Sequence, residues 1–216
     1  RRGGYMARRV KVKESEKLDD NNVKYVTELL ESDKPITKKE ACGILRISYN
    51  TTRLGNIIAG YKERAATEAR LRAKNRGKAA TDNEIVRAIE EYLNGDSISE
   101  IAKFMYRSSS FIKGIIKKHN VPVRSTSSDY FSPELLPDEV LSEDFKPGEL
   151  VWSARYNTTA RVDKLVQIQE GHGNVYRIWT LGKNQRYAAQ PWYELGKLEH
   201  LQNLGVKLHG QGSFPN

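Results

Sequence analysis

The sequence predicts an α+β multidomain protein, all-α in its N-terminal part and closing in a small all-β barrel. Three observations predict this. Up to residue 125, apolar residues recur at helical spacing behind Ser/Thr-x-x-Glu starts. From residue 148, short segments rich in Val, Ile, Tyr and Trp follow one another, and all three tryptophans lie there. Between them, "STSSDYFSPELLPDEVLSEDFKPGE" is rich in Ser, Pro and acid and reads as a linker.

Taken in order, "DDNNVKYVTELLES" places Val23, Val26, Leu29 and Leu30 on one face after an Asp/Asn start. "TKKEACGILR" opens with Thr37 and Glu40 at capping-box spacing, where each side chain satisfies an amide of the first turn. A third helix begins near Asn50, carries Leu54, Ile57, Ile58 and Tyr61, and runs on through "KERAATEARLRAKNR" to a stop at Gly77. "TDNEIVRAIEEYLNGD" has Thr81 with Glu84 as capping box, Ile85, Ile89 and Leu93 inward, and Gly95 as its stop. "SISEIAKFMYRSSSFIKGIIKK" divides into two short helices. Ser97 and Glu100 cap the first, whose inner face is Ile101, Ala102 and Met105. Ser108 caps the second, with Ile112, Ile115 and Ile116 inward. Expected strands are "GELVWSA", "ARVDKLVQIQ", "NVYRIWTL" and "RYAAQPWYEL", followed by a short helix in "LEHLQNLGV". A small antiparallel barrel buries so few short strands economically.

The resulting division is a basic flexible tail at 1–19, helical regions at 20–78 and 79–125, an acidic linker at 126–147, the β region at 148–208 and a tail at 209–216. Met6 is a candidate start, because the arginines before it can be encoded by a ribosome-binding sequence; a plain basic tail is the other reading.

The formal net charge is +9, and residues 1–80 alone carry +10 against −6 for 126–149. Such an excess favours a polyanion, nucleic acid first and an anionic membrane surface second. The single cysteine, Cys42, forms no intramolecular disulfide and reads as a small core residue. No stretch has the length and apolarity of a membrane span, and a cytoplasmic location in a bacterial cell or phage-infected host is expected.

The skeleton Ser97-x2-Glu100-Ile101-Ala102-x2-Met105-x2-Ser108-x2-Phe111-Ile112-x3-Ile116 resembles the helix-turn-helix family, of the three-helix resolvase and homeodomain-like type. The helix at 82–93 supplies the third member. A partial repeat, Thr37-x2-Glu40-Ala41-Cys42-x2-Leu45-x-Ile47-Ser48, stands earlier, so the expected architecture is a tandem helix-turn-helix. One departure recurs. The turn usually carries glycine, because the position needs a positive φ, and here Arg46 and Tyr106 occupy it. The C-terminal region resembles an SH3-like barrel of the KOW or Tudor sort, through its Lys146-x-Gly148-x-x-Val151 opening.

The resemblance implies a double-stranded DNA partner. Tyr49, Asn50, Thr51, Arg53, Ser109, Ser110 and Lys113 are the candidate base contacts, since short polar groups beside a cation suit base edges. Lys38, Lys39, Arg64, Arg70, Arg72, Lys74, Arg76, Lys78, Lys117 and Arg124 are the candidate phosphate contacts. RNA polymerase or another protein is the expected partner of the barrel. Tyr176, Trp179, Tyr187, Trp192 and Tyr193 are either its core or an exposed aromatic surface.

The four histidines show no metal-ligand spacing, no phosphate-binding glycine loop is present, and Pro137, Asp138, Asp144 and Lys146 stand too close for a nuclease carboxylate pattern. The chain therefore reads as a non-enzyme without a cofactor. A sequence-specific transcription regulator of a phage or bacterium is the leading expectation. A phage assembly or packaging adaptor, and an RNA-binding factor, are the alternatives.

Overall fold

A computed structural model describes residues 15–126, 132–169, 173–182 and 184–208. The basic tail with Met6, the turn at His172 and the C-terminal tail with His209 lie outside the described residues. The fold is mixed α+β, and the chain divides into two compact units between Lys74 and Asn75. Among the described residues, no helix is long and apolar enough to cross a membrane.

The first unit is built on α1 (Asp20–Glu31), α2 (Lys38–Ile44) and α3 (Thr51–Asn75). Asp19 caps α1 by accepting from the Asn22 amide. The box of Thr37 and Glu40 is complete at the start of α2. Val23, Val26, Ala41, Cys42, Leu45, Ile47 and Leu54 form one buried cluster, in which Cys42 is 1% exposed. Leu54 is the buried residue of α3. The rest of this 25-residue helix is mostly solvated, because its Ala, Glu, Arg and Lys composition supports helix without an apolar stripe.

The second unit begins with α4 (Asp82–Asn94), α5 (Ile98–Phe104) and α6 (Ser109–Lys118). Both expected capping boxes, Thr81 with Glu84 and Ser97 with Glu100, are formed. The hydrogen bonds of these boxes hold the Glu100 carboxyl below its usual range, the Ser97 amide contributing most. Gly95 ends α4 with φ 120°, a conformation costly for any residue carrying a Cβ.

A five-stranded antiparallel sheet follows, with β1 Leu150–Ser153, β2 Thr158–Gln169, β3 Gly173–Thr180, β4 Tyr187–Pro191 and β5 Leu195–Lys197. Its order is β4-β3-β2-β1-β5, so a simple meander is closed on one side by the last strand returning to the first. A single 3-10 turn, Trp192–Glu194, separates β4 from β5. The closing helix, α7, spans Glu199–Asn203.

The stretch expected to be a linker does not behave as one. In its described residues, Leu136 and Val140 are buried, and they join a cluster that also holds Ile89, Ile101, Ile112, Trp152, Leu198 and Leu201. The α4–α6 helices and the sheet therefore share one core. Ser, Pro and acidic residues dominate the composition of this stretch and conceal the few leucines and valines that anchor it. Gly196 makes room for them: a Cβ there would stand 2.9 Å from Leu136 Cδ2 and 3.1 Å from Val140 Cγ2. Asn157, in the β1–β2 turn, donates to the Ser125 carbonyl and accepts from the Ser125 amide, both at 2.9 Å.

At the end of the 3-10 turn, Glu194 is fully buried and fully engaged. It takes two hydrogen bonds from Arg155, at 2.7 and 2.9 Å, and one from Gln190 at 2.9 Å. Ser153 donates to Gln190 at 2.6 Å, which completes a buried polar network without an orphaned carboxylate oxygen.

Candidate nucleic-acid interface

The two helix pairs, α2–α3 and α5–α6, turn in the same way. Leu45 and Met105 end the leading helices in right-handed conformation. Arg46 and Tyr106 then adopt φ 54° and 53°. The amide of Arg46 bonds the Gly43 carbonyl and that of Ile47 the Cys42 carbonyl, at 3.1 and 3.0 Å. Tyr106 and Arg107 repeat this on Lys103 and Ala102, at 3.3 and 3.0 Å. This is the Schellman termination, which places a left-handed residue just past the helix. Glycine, the usual occupant, is absent from both turns, yet the geometry that calls for it is present. The pairs then diverge: Ser108 caps α6, whereas Asn50, two residues beyond the matching Ser48, caps α3.

On α6, Ser109, Ser110, Lys113 and Lys117 are exposed, while Ile112, Ile115 and Ile116 are buried beneath them. Ser110 Oγ lies 3.0 Å from Ser108 Oγ. Gly114, on the exposed side, has nothing within 4 Å of a notional Cβ, so the polar face is unobstructed. Phe104, 51% exposed at the end of α5, is covered by Arg87, whose guanidinium carbon stands 4.0 Å from the ring centre.

On the first pair, Tyr49 is 64% exposed, and Thr51 is exposed. Two other candidate base contacts are committed elsewhere. Asn50 Oδ1 accepts the Arg53 amide at 2.8 Å, so this side chain closes the first turn of α3. Arg53 grips both oxygens of Glu16, at 2.9 and 2.8 Å, and the Glu16 side chain is only 4% exposed. The pairing pushes the Arg53 guanidinium still further up from its ordinary value. Sequence reading overlooked Glu16 because it precedes the first helix and belongs to no periodic pattern. Thr52 and Asn56, also overlooked, are exposed on α3 and line an open groove of about 520 Å³ with Leu18, Ile57 and Arg64.

The candidate phosphate contacts divide similarly. Lys38, Lys39, Arg70, Lys74, Arg76, Lys78 and Lys117 are exposed. Arg64 pairs with Asp20 at 2.8 Å, and Arg72 with Glu68 at 2.9 Å; both pairs remain near the surface. Arg124 is a structural residue. Its guanidinium donates to the carbonyls of Asp96 and Tyr92, at 2.8 and 3.3 Å, just where α4 ends. Its position after α6 concealed this return to α4.

Arg107 is the largest omission of the sequence reading. It is 8% exposed and finds an acceptor for each of its donors. Nε and one terminal nitrogen hold the two Glu84 oxygens, each at 3.0 Å. The remaining donors reach the carbonyls of Asn75, Lys78 and Ala79. One face of the guanidinium stacks on Phe111, 4.4 Å from the ring centre. The Arg107 pairing is the main reason that the Glu84 carboxyl is held below its usual range. Arg107 thus ties the α5–α6 turn to the entry of α4. Comparison of the chain with protein-family models, curated proteins and solved structures finds no match.

Proposed function

We propose that the chain is a sequence-specific double-stranded DNA-binding protein of the helix-turn-helix type, acting as a transcription regulator in a phage or bacterium. The observation that carries the reading is the exposed face of α6. It offers Ser109, Ser110, Lys113 and Lys117 around an unobstructed Gly114, immediately after a left-handed turn. Hydroxyls and an ammonium group on the first turns suit base edges and flanking phosphates. An adaptor that docked protein through this face would need an apolar patch there. The matching turn before α3 supports a second reading unit, in which Tyr49, Thr51, Thr52 and Asn56 are the available side chains. Two readers on one chain gain affinity through effective concentration and select a bipartite, non-palindromic site. The strand order, with a 3-10 turn before the last strand, supports an SH3-like assignment for the β region.

The test is selection from a random pool of duplexes, followed by fluorescence anisotropy at low and physiological salt. A long split motif that survives physiological salt is the expected result, and Lys113→Ala relaxes one half of it. Unselective binding that vanishes with salt removes the reading and favours the adaptor.

A further inference from the structure

We infer that the outer face of the sheet is a binding platform for single-stranded nucleic acid, separate from the duplex-reading helices. The alternation of β3 creates the face. Tyr176, Ile178 and Thr180 turn into the core, which leaves Val175, Arg177 and Trp179 on the opposite side. The strand register assembles what surrounds them. Arg161, Trp179 and Tyr187 form one rung across β2, β3 and β4, and Lys164, Arg177 and Ala189 form the next.

The two aromatic rings stand 4.4 Å apart, and Tyr187 is 61% exposed. Arg177 lies 5.3 Å from the Tyr187 ring centre and is braced by Asp163, so the phenol ring is held on the sheet while most of its surface stays exposed. Arg161 donates to the Gly148 carbonyl at 3.1 Å, which fixes its guanidinium at the edge of the same rung. Lys164 is exposed. The small Ala189 beside Tyr187 leaves clearance over the ring. By contrast, Tyr176 is 2% exposed, with its hydroxyl donating to the Glu143 carbonyl at 2.8 Å, and Trp192 packs against the core. The aromatics thus separate into a core set and a surface set.

An exposed Tyr187 ring beside a half-buried Trp179, framed by three cations, matches the chemistry of an unpaired strand. Bases stack on the rings and the phosphates meet the guanidinium and ammonium groups. Successive same-face positions of a strand lie about 7 Å apart, comparable to one nucleotide of an extended chain. A duplex hides its base faces and cannot use Tyr187 in this way. An acidic peptide would meet the cations and leave the rings unused.

The experiment uses the full chain with fluorescein-labelled oligo(U) and oligo(dT) of about ten nucleotides, in anisotropy titrations against wild type, Tyr187→Ala, Tyr187→Phe and Trp179→Ala. The wild type binds at least one of the two oligomers. Tyr187→Ala and Trp179→Ala each lose about tenfold in affinity, while Tyr187→Phe, which keeps the ring, stays within about twofold. The ratio of the two oligomers identifies RNA or DNA as the preferred source. Tyr187→Ala keeps wild-type duplex affinity, so the platform and the duplex-reading proposal stand or fall separately. Equal affinity of Tyr187→Ala and wild type for both oligomers overturns the inference, since charge alone then accounts for binding; so does no binding of either oligomer at low salt.

Discussion

Arg107 and Glu84 face each other through two hydrogen bonds of 3.0 Å, one to each carboxylate oxygen, across the entry of α4. The same Glu84 closes the capping box with Thr81. Replacing Arg107 by Ala leaves the half-buried Glu84 carboxylate and the Lys78 and Ala79 carbonyls without these donors, at a cost of about 1–3 kcal/mol. Arg107→Lys recovers little, because an ammonium cannot hold both oxygens and reach the carbonyls beyond. Urea denaturation of both variants checks this; a loss below about 1 kcal/mol for Arg107→Ala would contradict a structural role.

Acid should weaken the same joint. The folded Glu84 carboxyl titrates below its ordinary value of 4.5, mainly through Arg107. Its contribution is therefore fully present above the unfolded carboxylate range and is lost as pH falls through the depressed folded value. Wild-type protein loses stability over that acidic window. Glu84→Gln, which cannot titrate, begins less stable and shows a flatter profile there. Melting temperature followed from neutral to strongly acid pH separates the two curves.

Arg46 gives the opposite expectation. It is exposed and sits at φ 54°, where glycine carries no Cβ penalty. Arg46→Gly should gain about 0.5–1 kcal/mol, while Arg46→Val, β-branched, should lose at least as much. Chemical denaturation of the pair reads the sign directly. A destabilised glycine variant would mean that the arginine side chain makes a contribution larger than the strain it bears.

The duplex-binding reading makes Arg53 and Lys113 behave differently. Arg53 is held by Glu16, so Arg53→Ala should lower the stability of the first unit and leave the selected motif unchanged. Lys113 is exposed on α6, so Lys113→Ala should leave stability unchanged and relax the motif. Motif selection together with thermal melting of each variant distinguishes them. A motif altered by Arg53→Ala would show that the ion pair opens on DNA.

The exposed cations at the end of α3 and just beyond it should act through phosphates alone. Changing Arg70, Lys74 and Arg76 together to Gln is expected to reduce the slope of log affinity against log salt by about 2–3. The motif itself should persist. An unchanged slope would assign these residues to a solvated helix face.

What the sequence by itself determined is local. The boxes at Thr37, Thr81 and Ser97, the apolar faces of the six leading helices and the placement of β1 to β4 depend on residues a few positions apart, which linear spacing records directly, whereas the break of "RYAAQPWYEL" into β4, a 3-10 turn and β5 was not read from it. The resemblance called for glycine where Arg46 and Tyr106 stand, and only the backbone shows that both turns keep the positive φ without it. The tertiary structure alone decided which polar side chains remain available. Arg53 with Glu16, Arg124 with Asp96 and Arg107 with Glu84 join residues that are 37, 28 and 23 positions apart. A charge read from sequence is equally a surface ligand and a buried clamp until the fold brings a partner within about 3 Å. The acidic stretch taught the same lesson: its composition is that of a linker, but Leu136 and Val140 are held in a core whose other walls come from α4–α6 and the sheet. The burial of a few apolar residues outweighs average composition because it depends on what stands opposite each side chain.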